Sequence, residues 1–92
     1  MYHVYLLWSD QGRRFYVGLS QDMAHRLTQH NEGASRWTSR FAGTWRLVSS
    51  QGFASLTEAR LLESKLKRQK GGHGLYHLTG LDPALFPRSS GS

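Results

Sequence analysis

The chain has no cysteine, so it cannot rely on a disulfide framework. A secreted domain this small commonly needs one, and a reducing cytoplasm is the expected setting. Acids are also scarce: six Asp and Glu stand against twelve Lys and Arg, for a formal net charge of +6. Such a balance points to a polyanionic partner, bound through phosphate contacts and counterion release. A long apolar run is missing too. The N-terminus passes from Met1 directly into Tyr2-His3-Val4, with no charged leader, so neither a signal peptide nor a membrane span is expected. No predicted helix is basic on one face and richly apolar on the other, which argues against a membrane surface as partner.

What is present is enough for one small domain, 92 residues long, near the lower size limit for folding without metals or disulfides. The expected boundaries are residues 1–87 for the domain and 88–92 for a mobile Ser/Gly tail. Residues 2–8 (YHVYLLW) read as a strand, with a turn at Ser9-Asp10-Gln11-Gly12 and a returning strand over residues 13–19. Ser20 suits a helix N-cap with Asp22 in the first turn, and this helix should stop near Asn31 and Gly33. Residues 34–45 have no clear period. A third strand is expected from Trp45 to Ser49, then a turn at Gln51-Gly52. Ser55 and Glu58 form a capping box for a second helix, which should end at Gly71-Gly72. In the segment from His73 onward, Leu75, Tyr76, Leu78, Leu81 and Phe86 are candidates to pack on the body. The order β-β-α-β-α predicts an α/β (α+β) fold, with a three-stranded, mainly antiparallel sheet flanked by helices.

A hairpin turn symmetric about Asp10 and Gln11 would set Tyr5 opposite Tyr16, as an aromatic pair contributing about 0.2–1 kcal/mol. Alternation puts His3, Tyr5 and Leu7 on one face and Val4, Leu6 and Trp8 on the other. Gly18 shares the face of Tyr16 and marks either a bulge or a close approach by a ligand. On the first helix, Arg26 and His30 are spaced i, i+4, with His30 on the apolar stripe beside Met23 and Leu27. Two readings stand: a snorkelling arginine with a histidine satisfied by backbone, or two groups converging on an anion.

The acids narrow the choice further. Asp10 has a turn to serve, Asp22 a helix start and Glu58 a capping box. Glu32 lies past the first helix, and Asp82 precedes Pro83. Glu63 has no local duty, and its wheel position near Leu62 and Leu66 points it inward, where an unpaired carboxylate is costly. It is either the partner of Lys67 in an i, i+4 ion pair worth about 0.3–0.5 kcal/mol, or an oxygen ligand for a cation such as Mg²⁺, which takes one or two carboxylates with phosphate and water.

The order Tyr5…Tyr16-Val17-Gly18…Arg26…Glu63, with residues 26–33 (RLTQHNEG) and Ala59…Glu63…Lys67, resembles the GIY-YIG nuclease superfamily, in its small single-domain bacterial branch. The resemblance covers roughly residues 2–70. It departs in the first motif, where His3-Val4-Tyr5 replaces Gly-Ile-Tyr. The resemblance implies a metal-dependent endonuclease acting on DNA, with RNA also open. Tyr5 then corresponds to the tyrosine that deprotonates water, and Tyr16 to its supporting partner. Arg26 corresponds to the phosphate-stabilising arginine, Glu63 to the carboxylate for Mg²⁺ or Mn²⁺, and His30 to a residue near the scissile phosphate. Lys67 matches a recurring basic position.

Arg36, Trp37, Arg40, Phe41 and Trp45 interleave cations and aromatics, a pattern that suits nucleic-acid backbones and unstacked bases and equally suits aromatics closing a core beneath solvated arginines. Lys65 and Lys67 lie on a basic helix end that either is solvated or meets phosphate. His3, His25, His30, His73 and His77 lack cysteine partners and HExxH spacing, so structural zinc is not expected. Branched, flapped or single-stranded DNA is the expected substrate, and a non-catalytic nucleic-acid-binding module on the same fold is the alternative.

Overall fold

A computed structural model describes residues 1–33, 38–69 and 73–87. Strand β1 (Tyr2–Ser9) pairs with β2 (Arg14–Ser20) on one side and with β3 (Trp45–Phe53) on the other. The sheet is antiparallel, in the order β2-β1-β3. The central strand is apolar over most of its length because both its faces are covered: Val4 to Ser9 are all buried.

The hairpin register differs from the expected one. Pairing closes at Ser9 and Arg14, so Tyr5 faces Gly18 and Tyr16 faces Leu7. The turn is longer because its backbone is anchored on Ser9. Arg13 N–H donates to the Ser9 carbonyl at 2.7 Å, and Gly12 N–H donates to Ser9 Oγ at 2.9 Å. Arg13 takes a left-handed conformation, φ 52°, to close it. The partner of each β1 residue moves by two positions, which preserves side-chain parity. Tyr5 and Tyr16 therefore stay on one face as diagonal neighbours, ring centroids 6.4 Å apart.

Helix α1 (Met23–Asn31) starts one turn-forming step later than expected. Asp22, not Ser20, is the cap: its carboxylate accepts from His25 N–H at 3.1 Å, while Ser20 Oγ accepts from Asp22 N–H at 3.0 Å. Helix α2 (Leu56–Arg68) does start at Ser55, which accepts from Glu58 N–H at 3.4 Å. Its expected end at residues 71 and 72 lies outside the described residues, as does the tail at 88–92. The turn expected at Gln51-Gly52 is instead strand. Gln51 pairs with Val4 and Gly52 with His3, so cross-strand pairing overrides local turn chemistry. A β-bulge interrupts β3, where Leu6 pairs with Ser49 but Leu7 with Leu47.

The segment from His73 is more ordered than its composition suggests. It forms helix α3 (His73–Thr79), stopped by Gly80 at φ 75°, and a 3₁₀ turn at Pro83–Leu85. Leu75 and Phe86 are buried, and Tyr76 and Leu81 pack on the core, but Leu78 is exposed. No helix of the described residues is long and apolar enough to cross a membrane.

Two apolar layers result. Val4, Leu6 and Val17 pack with Ala59 and Leu66 of α2 and Leu75 of α3. On the opposite face Tyr5, Leu7 and Trp45 pack with Tyr16, Met23, Leu27 and Phe41. Asn31 joins α1 to β3 on this second face. Its Nδ2 donates to the Trp45 carbonyl, and its Oδ1 accepts from Trp45 N–H, both at 2.9 Å. Replacing Asn31 by Ala leaves a backbone donor and acceptor unpaired and is expected to cost about 1–3 kcal/mol. Urea denaturation will show this as a lower midpoint at unchanged m-value, with Asn31→Asp, which keeps only the acceptor, falling between.

Candidate active site

The face carrying Tyr5, Leu7 and Trp45 also holds most of the candidate chemistry. β1 supplies Tyr5, β2 supplies Tyr16 and Gly18, and α1 supplies Arg26 and His30. Gly18 is directly opposite Tyr5, and a Cβ there would overlap the Tyr5 ring and hydroxyl. Glycine is what lets the phenol lie across the neighbouring strand toward α1.

His30 is fully buried, and both its nitrogens are engaged by side chains. Nε2 lies 3.0 Å from the Tyr5 hydroxyl, and Nδ1 lies 2.7 Å from Thr38 Oγ1. The expected backbone partners are not used. Burial, and then the positive charge of Arg26, push the His30 pKa down, so the imidazole is neutral. Burial also pushes the Tyr5 phenol above its ordinary value, against the opposing hydrogen bond from Arg26. Desolvation thus outweighs the lowering by the Arg26 cation. With both groups neutral, we assign Tyr5 O–H as donor to Nε2 and Nδ1–H as donor to Thr38.

Thr38 had no signal in the sequence, lying in a stretch without periodicity. It is fully buried, and its carbonyl accepts from Trp45 Nε1 at 2.8 Å. The Asn31–Trp45–Thr38 contacts therefore set where His30 Nδ1 is held. Tyr16 stacks its ring 4.7 Å from that of His30, at 60°.

Arg26 is half-buried and hydrogen-bonds both tyrosine hydroxyls, which raise its pKa. A further bond runs from its Nη1 to Gln29 Oε1 at 2.9 Å. The guanidinium is thus aimed at the phenols, with charge left to meet an anion. Glu63 comes from α2, in the opposite layer, yet its charge still works against ionisation of Tyr5. Its carboxylate forms the ion pair with Lys67, at 3.4 Å, with the Glu63 side chain 22% exposed.

The structure thus gathers Tyr5, Tyr16, Arg26 and His30, with Glu63 near enough to be felt at Tyr5. Lys65 is exposed and, at two residues from both Glu63 and Lys67, is on another side of the helix. Arg40 sits over Phe41, 5.4 Å from the ring centroid. Arg36 and Trp37 lie outside the described residues. Among the described residues no group of three or more His, Cys, Asp or Glu could hold a metal.

Two tyrosines and an arginine on one face of this sheet are the arrangement that comparison with known proteins accounts for. The family model described as the GIY-YIG catalytic domain matches residues 1–75. The chain belongs to the GIY-YIG family, in its small bacterial branch. This domain places it in a nuclease superfamily and implies a nucleic-acid substrate, and such nucleases generally use divalent metals. Similar chains include two from strains of Streptococcus pneumoniae, both named UPF0213 protein. They are 38% and 37% identical over 68 residues, covering 74% of this chain and 68% of each relative. No solved structure gives a significant match.

The buried imidazole makes stability depend on pH. The unfolded chain takes up a proton on His30 near its ordinary value of 6.5, whereas the folded protein does so only at lower pH. Stability from this group is complete above that value and is lost as pH falls through the folded pKa. The melting temperature is expected to decline as pH drops below about 6.5. His30→Gln should melt lower at neutral pH and lose this part of the pH dependence, as read by thermal melts across the range.

Proposed function

We propose that the protein is a divalent-metal-dependent endonuclease that hydrolyses DNA phosphodiester bonds, in branched, flapped or single-stranded DNA. The reading assigns the activity to a domain spanning residues 1–87 and places it in the cytoplasm. The observation that carries the reading is the hydrogen-bonded line Tyr5–His30–Thr38, with Arg26 bridging both phenols.

A free tyrosine has a pKa near ~10, and Tyr5 is pushed higher still by burial. A standing phenolate is therefore disfavoured. Neutral His30 offers another route: as water attacks phosphorus, its proton passes to Tyr5 Oη while the Tyr5 proton passes to His30 Nε2. Thr38 holds the Nδ1–H and keeps the ring oriented for that transfer. Arg26 offsets charge building on the phosphoryl oxygens. Tyr16 packs against His30 and shares the Arg26 hydrogen bonds.

Glu63 fits a cation of the Mg²⁺ type. It is a single, half-buried oxygen donor, and Mg²⁺ is satisfied by one or two carboxylates plus substrate phosphate and water. Mg²⁺ or Mn²⁺ there would supply Lewis acidity to the phosphate and the leaving oxygen. Lys67, now paired with Glu63, would then be free to meet phosphate, while Lys65, on another side of the helix, would meet a different part of the backbone. Gly18, Arg36, Trp37 and Arg40 complete the proposed nucleic-acid contacts.

A non-catalytic nucleic-acid-binding module is the second reading, and the 2% exposure of Tyr5 favours it, because a base must reach water. Incubation with branched, flapped and single-stranded DNA in Mg²⁺ or Mn²⁺ separates the two. Cleavage is expected, reduced about 100-fold or more by Tyr5→Phe and by Glu63→Ala, with DNA binding retained. Tight binding without cleavage by the wild-type protein would decide for the module.

A further inference from the structure

The turn end of the sheet carries a second cationic feature, on the same face as the tyrosines. Arg14 and Arg40 both lie over the Phe41 ring, 5.3 and 5.4 Å from its centroid. The ring is seated by Gly12, where a Cβ would come within 2.7 Å of its carbons. Gly12 in turn is held by Ser9 Oγ, which also bonds Thr44 Oγ1 at 2.7 Å. Arg14 Nε is further restrained by the Gly12 carbonyl at 3.3 Å.

Two guanidiniums are thus held at one ring. Among the described residues neither has a carboxylate partner, since the two ion pairs there join Arg46 to Asp10 and Lys67 to Glu63. The nearby acid is thus already committed: Asp10 accepts from Trp8 Nε1 as well as from Arg46. The aromatic ring steadies each cation, and with no acid among the described residues to neutralise them both charges are left to meet an anion.

Arg14 is two residues from Tyr16 on β2, and therefore on the same face. We propose that Arg14 and Arg40, braced on Phe41, form a second phosphate subsite that grips the DNA backbone on the sheet face of Tyr16, beside the phosphate held at Arg26. This subsite deepens the nuclease reading and rests on it for the direction of the strand.

The test is the salt dependence of binding to a labelled linear duplex and a labelled flapped duplex, followed by fluorescence anisotropy on the full chain. Arg14→Gln/Arg40→Gln should weaken binding roughly ten- to fiftyfold at ~0.1 M salt and lower the slope of log K against log salt by about 1.8. Arg14→Lys/Arg40→Lys keeps the charge and should keep the slope, which guards against misfolding as the cause. Arg46→Gln is the control, because Arg46 shares the face of Trp8 and lies over Phe86, and it should leave the slope unchanged. An unchanged slope in the Gln pair, or an equal fall with Arg46→Gln, would overturn the subsite. Cleavage with an unchanged slope sinks the subsite alone. A lowered slope without cleavage sinks the nuclease reading alone, and absence of both binding and cleavage sinks both.

Discussion

An imidazole closed off from water between a helix and a sheet must find partners for both nitrogens, and here both are side chains. That requirement ties together three segments far apart in the chain. β1 brings the phenol of Tyr5, α1 brings His30, and the irregular stretch before β3 brings Thr38. Because the ring is neutral, one nitrogen accepts and the other donates, so the line from Tyr5 to Thr38 has a direction. Trp45 and Asn31 hold the far end through a carbonyl, an indole N–H and a side-chain amide. The local cost of burying polar groups is met by pairing each one.

The same line makes demands on the sheet. The Tyr5 ring must cross toward α1, which leaves no room for a side chain at Gly18. Arg26 supplies the charge that a buried tyrosine–histidine pair lacks, and its field helps to keep His30 unprotonated. Glu63, on the other layer, puts negative charge within range of a site whose other groups are neutral or positive. Structural and functional readings of Glu63 are not exclusive, since its Lys67 partner is an exposed, weakly held ion pair.

Much of this was legible in residue order. Alternation along β1 sorted Tyr5 and Leu7 from Val4 and Leu6, and that sorting holds because the hairpin register moved by an even number of residues. Scarcity of acids singled out Glu63, and helical spacing put His30 on the inner stripe. The capping box at Ser55 and Glu58 needed only local chemistry. Ser20 misled because two residues with one position between them can each cap, and the helix took Asp22. Gln51-Gly52 has the composition of a turn, but β1 offers backbone partners for both residues.

Period, motif order and charge along the chain were enough for the first two strands, the start of the third, both longer helices, the sheet face shared by Tyr5 and Tyr16, and the family. Tertiary structure alone decided the identity of the partners: Thr38 for His30, Gly18 beneath Tyr5, Phe41 beneath Arg14 and Arg40. It also decided that Tyr5 is harder to ionise than a free phenol, since desolvation depends on what packs around a group and not on its neighbours in the chain.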